Sequence, residues 1–137
     1  MHTTNYFDTF IEAADDCPVS SAEIPPIKVD NQTIASIQFE LIRTNPYKYT
    51  SDDVIFHAYA VKNDLTAQEL EAEKNKFFSK GQACLRASPL TKRYGWGVHS
   101  DNNGKIAIYP LGSEEYSRLK NDPGLKQLKA IRSKRVK

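Results

Sequence analysis

The stretch from Cys84 to His99, CLRASPLTKRYGWGVH, gathers most of the side chains in this sequence that could do chemistry. Arg86, Lys92 and Arg93 bracket a turn at Pro89 and lead into Tyr94-Gly95-Trp96-Gly97. Guanidinium forks bind carboxylates and phosphates bidentately, and a lysine adds a point charge. Tyr94 or Trp96 offers a face for a ring or base, and the glycines would let a ligand come close to the backbone. Arg86, Lys92, Arg93, Tyr94, Trp96 and His99 therefore form the candidate ligand-binding set. The same residues also admit a purely structural reading. In it Trp96 is core, the glycines ease sheet twist, and the cations pair with acids elsewhere in the chain.

Two groups raise the question of catalysis. Arg86 lies close enough in sequence to stabilise a Cys84 thiolate, and His99 becomes a general base if it faces a cleft. Against this, a cysteine beside Leu85 reads as a small buried hydrophobe, and His99 precedes a hairpin turn, an exposed position. No catalytic residue is assigned. His2, His57 and His99 lack the spacing of local metal ligands, and no phosphate loop, dinucleotide fingerprint or nucleophile elbow occurs. Neither a metal nor a cofactor is expected. Cys17 and Cys84 read as two free thiols in a reducing cytosol, unless the fold brings them together.

The elements that must position these groups follow from composition and pattern. The chain has 137 residues, 39% hydrophobic and 26% charged, which suits one globular α+β domain spanning residues 1–137. No signal-peptide pattern and no apolar run of membrane-crossing length appears, so a soluble cytoplasmic protein is expected. Net charge is +2, but unevenly placed. Residues 1–85 hold 7 Lys/Arg against 13 Asp/Glu, net −6; residues 86–137 hold 12 against 4, net +8. Such asymmetry suggests either a basic surface meant for an anion or two halves that neutralise each other.

Tyr6 to Ala14 fits both periods, and its Tyr, Phe, Thr and Ile content favours a strand. Asp15 to Gln32, with three prolines, reads as an irregular connection. Thr33 caps a helix to about Arg43, stopped by Pro46. Ser51 caps a second, with Asp52 and Asp53 in its first turn. Thr66 and Glu69 form a capping box for a third, which Gly81 ends. Tyr94, Trp96 and Val98 alternate into a tight type I′ turn at Asn103-Gly104, and Ile106 and Ile108 return. Ser113 caps a short helix to about Lys120, and Leu125 to Arg132 fits either a strand or a helix, since Leu125, Leu128 and Ile131 recur at helical spacing; the strand is favoured. The expected fold is thus α+β: a small antiparallel sheet containing a 94–109 β-hairpin, packed with three or four helices. A basic tail from about residue 133 is expected to fray.

The segments FIEAADDCP (10–18), NPYKYTSDDVIF (45–56), CLRASPLTKRYGWGVH (84–99) and KAIRSKR (129–135) carry a likeness beyond pattern. On them the chain resembles, over nearly its whole length, a family of short bacterial proteins of unknown function. That resemblance implies one compact domain and assigns no activity, cofactor or site residue.

The residues therefore point first to a non-enzymatic intracellular binding module for an anionic small molecule or acidic protein. A small enzyme using Cys84 or His99 with Arg86 is the alternative, and a protein-interaction or structural domain is a third. The run Lys126, Lys129, Arg132, Lys134, Arg135 and Lys137 could displace counterions from nucleic acid. Without an RNP motif, recognition helix or zinc module, nucleic acid ranks behind the other partners. No membrane partner is expected.

Overall fold

A computed structural model describes residues 2–26 and 32–133. The expected α+β architecture is present: a four-stranded sheet of order β3-β2-β1-β4 with, among the described residues, five helices. The strands are β1 (Thr9–Glu12), β2 (Trp96–Ser100), β3 (Ile106–Pro110) and β4 (Lys126–Lys129). The helices are α1 (Ile34–Thr44), α2 (Ser51–Lys62), α3 (Leu70–Phe77), α4 (Pro89–Lys92) and α5 (Glu114–Lys120).

Both ambiguous segments are strands. β1 is central, antiparallel to β2 and parallel to β4, so the sheet is mixed rather than wholly antiparallel. Successive side chains of a strand point to opposite faces. Phe10 accordingly meets Tyr116 of α5 edge-to-face at 5.1 Å, while Ile11 joins Phe39, Ile42, Val54, Leu85, Leu90, Val98 and Ile106 in the main core. Both residues are at most 1% exposed. α1, α2 and α4 thus cover one face of the sheet and α5 covers part of the other. Gly97 makes the second packing possible: a Cβ there would lie 2.5 Å from Phe10 and 2.8 Å from Tyr116.

Local signals explain most boundaries, with three corrections. Thr33 caps α1 by accepting from the Ser36 amide, and α1 ends at Thr44, with Asn45 as its C-cap ahead of Pro46. α2 is capped by Thr50, not Ser51: Thr50 and Asp53 exchange bonds in a capping box. Ser51 instead lies 3.0 Å from the Thr4 hydroxyl, and the Asp52 carboxylate accepts from the Thr4 amide and hydroxyl. The N-terminal segment is thereby docked onto the start of α2.

At α3 only half of the expected box forms. The Glu69 carboxylate accepts from both the amide and the hydroxyl of Thr66, and the helix begins at Leu70. It ends at Phe77, before Gly81, because Phe78 turns into the core at 2% exposure and the Gln82 side chain caps the Phe77 carbonyl. The hairpin loop is wider than a type I′ turn. The ladder closes at Ser100 and Ile106, and within the loop Gly104 alone has positive φ, at 78°. The Asp101 carboxylate accepts from the amides of Asn103 and Lys105, stabilising this longer loop. Fraying of the tail beyond Ser133 concerns residues outside those described.

Candidate functional site

The candidate residues fall into four places. The first is a cleft of about 430 Å³ lined by Lys92, Arg93 and Tyr94 on one side and by Thr33, Ile34 and Ala35 of α1 on the other. Ser88 caps α4 through the Leu90 amide, and Pro89 occupies its first turn, where a missing N–H costs nothing. Leu90 and Thr91 are fully buried, and the Thr91 hydroxyl donates to the Leu85 carbonyl at 2.6 Å. This short rigid turn delivers the two cations and the tyrosine together at its end. Among the described residues neither Lys92 nor Arg93 has a carboxylate within 4 Å. The first turn of α1 adds the positive end of its helix dipole.

Arg86 and Trp96 do not join that cleft. The Arg86 side chain donates through Nε to the Lys129 carbonyl at 2.7 Å, and its own carbonyl accepts from the Ile131 amide at 2.7 Å. It fastens the 3₁₀ turn Leu85–Ala87 to the end of β4. The Trp96 indole donates to the Glu23 carbonyl at 2.8 Å, and its ring packs edge-on against Phe39 at 5.0 Å. The flanking glycines open no path to a ligand. A Cβ on Gly95 would meet Val19 at 2.9 Å, and the space beside Gly97 is filled by Phe10 and Tyr116.

His99 occupies the fourth place, on the sheet face opposite Val98. Its Nδ1 lies 2.7 Å from the Tyr47 hydroxyl, which lies 2.7 Å from the Tyr109 hydroxyl. Tyr47 reaches this position from the α1–α2 turn in a left-handed conformation, φ 59°, and its amide donates to the Ile106 carbonyl. Burial holds the His99 imidazole below its ordinary pKa, opposed by Asp101, Asp122 and Asp8. Burial and the adjacent Tyr109 push the Tyr47 phenol upward.

Cys84 lies on the helical side of the sheet, away from His99, with its sulfur 3.6 Å from the Tyr6 hydroxyl. Burial, and then Cys84, raise the Tyr6 pKa, while Arg86 lowers it. Cys17 and Cys84 are both free thiols. Cys84 lines a second hollow of about 280 Å³ between α1, α2 and the segment following α3, with Ile55, Ala58, Phe77, Gln38 and Ser88. In its wall the Ser88 hydroxyl donates to Gln38 Oε1 at 2.6 Å.

Sequence reasoning missed the α1 side of the cleft, the Gln38–Ser88 pair and the Tyr47–His99–Tyr109 chain. A polar residue between Ile37 and Phe39 was the available signal for Gln38, since a buried amide needs a partner. The others depend on contacts between distant segments. Among the described residues no cluster of His, Cys, Asp and Glu is arranged to hold a metal ion. Among them, too, no helix is long and apolar enough to cross a membrane.

No curated protein and no solved structure significantly matches the chain. One family does, described as a family of unknown function (DUF6157), over residues 1–136. The chain, in which Lys92 and Arg93 share a cleft that His99 and Cys84 do not line, belongs to that family.

Proposed function

We propose that the chain is a non-enzymatic intracellular binding module that takes an anionic ligand in the cleft between α4 and the start of α1. One observation carries this reading: Lys92 and Arg93 line the same cleft and, among the described residues, have no carboxylate partner. A guanidinium and an ammonium side by side suit a carboxylate or phosphate, and the α1 dipole adds to the same field. Tyr94 supplies an aromatic wall. The volume, about 430 Å³, lies in the range of small-molecule sites, so the anion is a small ligand rather than the face of an acidic protein.

Titration with inorganic phosphate at low salt, followed by calorimetry or amide chemical shifts, tests the reading. Binding is expected to centre on Thr33–Ala35 and Lys92–Tyr94 and to weaken at least tenfold in Lys92→Gln and in Arg93→Gln. Absence of binding, or binding indifferent to both substitutions, overturns it.

A further inference from the structure

The charged cleft has a neighbour that fits the other half of a ligand. The 280 Å³ hollow and the 430 Å³ cleft share Ile34, Ala87 and Pro89 in their walls. One is lined largely by apolar side chains, among them Ile55, Ala58 and Phe77, with Lys62 also in its wall; the other carries Lys92 and Arg93. Gln38 stands in the wall of the apolar hollow at 4% exposure. Its Oε1 accepts from Ser88, whereas its Nε2 has no hydrogen-bond partner among the described residues. That nitrogen is not sealed from solvent, so it is free to donate to a group that enters the hollow.

We infer that the two hollows form one bipartite site for a small amphiphilic carboxylic acid. Its carboxylate lies at Lys92 and Arg93, its alkyl or aryl body crosses Ile34 and Pro89, and its far end fills the hollow beside Cys84. The hollow is of a size for a short chain: at about 30 Å³ for each water-sized group, it holds on the order of nine. Gln38 Nε2 gives an oxygen-bearing tail one internal donor. This assignment deepens the proposed function and rests on its charged cleft.

The test is a series of straight-chain carboxylates, acetate through decanoate, titrated beside octanol and inorganic phosphate. Affinity is expected to rise about fourfold with each added methylene, from ~0.8 kcal/mol per buried methylene, and to level once the hollow is full. Octanol, lacking the charge, is expected to bind at least tenfold more weakly than octanoate. Octanoate is also expected to slow alkylation of Cys84 by iodoacetamide in a Cys17→Ser background. Ala83 lines the hollow and is exposed, so Ala83→Phe fills the space without loading the core. That variant is expected to lose the chain-length dependence and keep phosphate binding.

Affinity flat along the series, with phosphate still bound at Lys92 and Arg93, overturns the bipartite site and leaves the anion cleft standing. Octanol binding as tightly as octanoate overturns it as well, because the carboxylate would then do nothing. A dimer in sedimentation that occludes the hollow places a second copy there and also overturns it. Loss of phosphate and carboxylate binding together removes the proposed function itself.

Discussion

Along the β4 edge Lys129 meets Asp15 at 2.9 Å, Lys120 meets Glu12 at 3.7 Å, and Arg86 donates to the Lys129 carbonyl. At the end of α4, Lys92 and Arg93 have no such acceptor among the described residues. Both regions belong to the basic half of the chain. The first joins that half to the acidic one, with Asp16 also accepting from the Ser133 amide. The second leaves its charge available at a cleft. Charge asymmetry alone therefore does not mark a binding surface; what separates the two regions is whether the fold brings an acceptor to each cation.

The cleft can afford unpaired cations because buried apolar side chains hold α4 in place. Leu90, two residues before Lys92, is fully buried in the core with Leu85, Phe39 and their neighbours. Leu90→Ala is expected to cost about 2–5 kcal/mol, the range for truncating a fully buried leucine, read as a shift in the urea midpoint. Phosphate binding should weaken with it as α4 loses its seat. A variant of near-native stability would mean that the cleft is not built on the core.

The next test sets one region directly against the other. Arg86→Ala removes the side-chain donor to Lys129 and is expected to lower stability by about 1–2 kcal/mol while leaving phosphate affinity unchanged. Lys92→Gln and Arg93→Gln keep much of the aliphatic stem and lose no described ion pair. Each is expected to stay within ~0.5 kcal/mol of the parent in stability while losing binding. The opposite pattern would exchange the roles of seam and cleft.

How much of this was legible before the fold was known differed from residue to residue. Lys92, Arg93 and Tyr94 are consecutive, so their convergence needed only a short turn, and Ser88-Pro89 announced one. The far wall at Thr33–Ala35 was hidden, because no local pattern records that α1 packs on α4. Arg86 looked like a member of the site since a side chain's preference for an acid is readable and a backbone carbonyl waiting at Lys129 is not. β1 was ambiguous because its two faces are both covered, which places Phe10 and Ile11 side by side instead of alternating with polar residues. The segment around β4 carries Leu125, Leu128 and Ile131 at helical spacing, and what makes it a strand is parallel pairing with β1, a contact between the two ends of the chain. The hairpin was the reverse case, its alternation and Gly104 being local, although Asp101 widened the loop.

The smallest effect belongs to the exposed end of the seam. Lys129, through a hydrogen bond first and charge second, holds the Asp15 carboxyl below its ordinary value of 3.8, and Asp15 in turn raises Lys129 above 10.5. A carboxyl lowered on folding contributes stability that is present above pH 3.8 and is lost as pH falls through the folded value. An ammonium raised on folding contributes below pH 10.5 and loses its contribution as pH rises through the folded value. The pair therefore acts over the neutral range and fails at both ends. Both groups are solvent-exposed, so added salt screens them. Asp15→Asn is expected to lower Tm slightly near pH 7 in low salt, and the difference from the parent should shrink as pH falls below 3.8, as pH rises above 10.5 and in 1 M salt. A difference that persisted in high salt would mean that Asp15 works through packing rather than through its charged bond to Lys129, and the seam would then no longer be electrostatic at its rim.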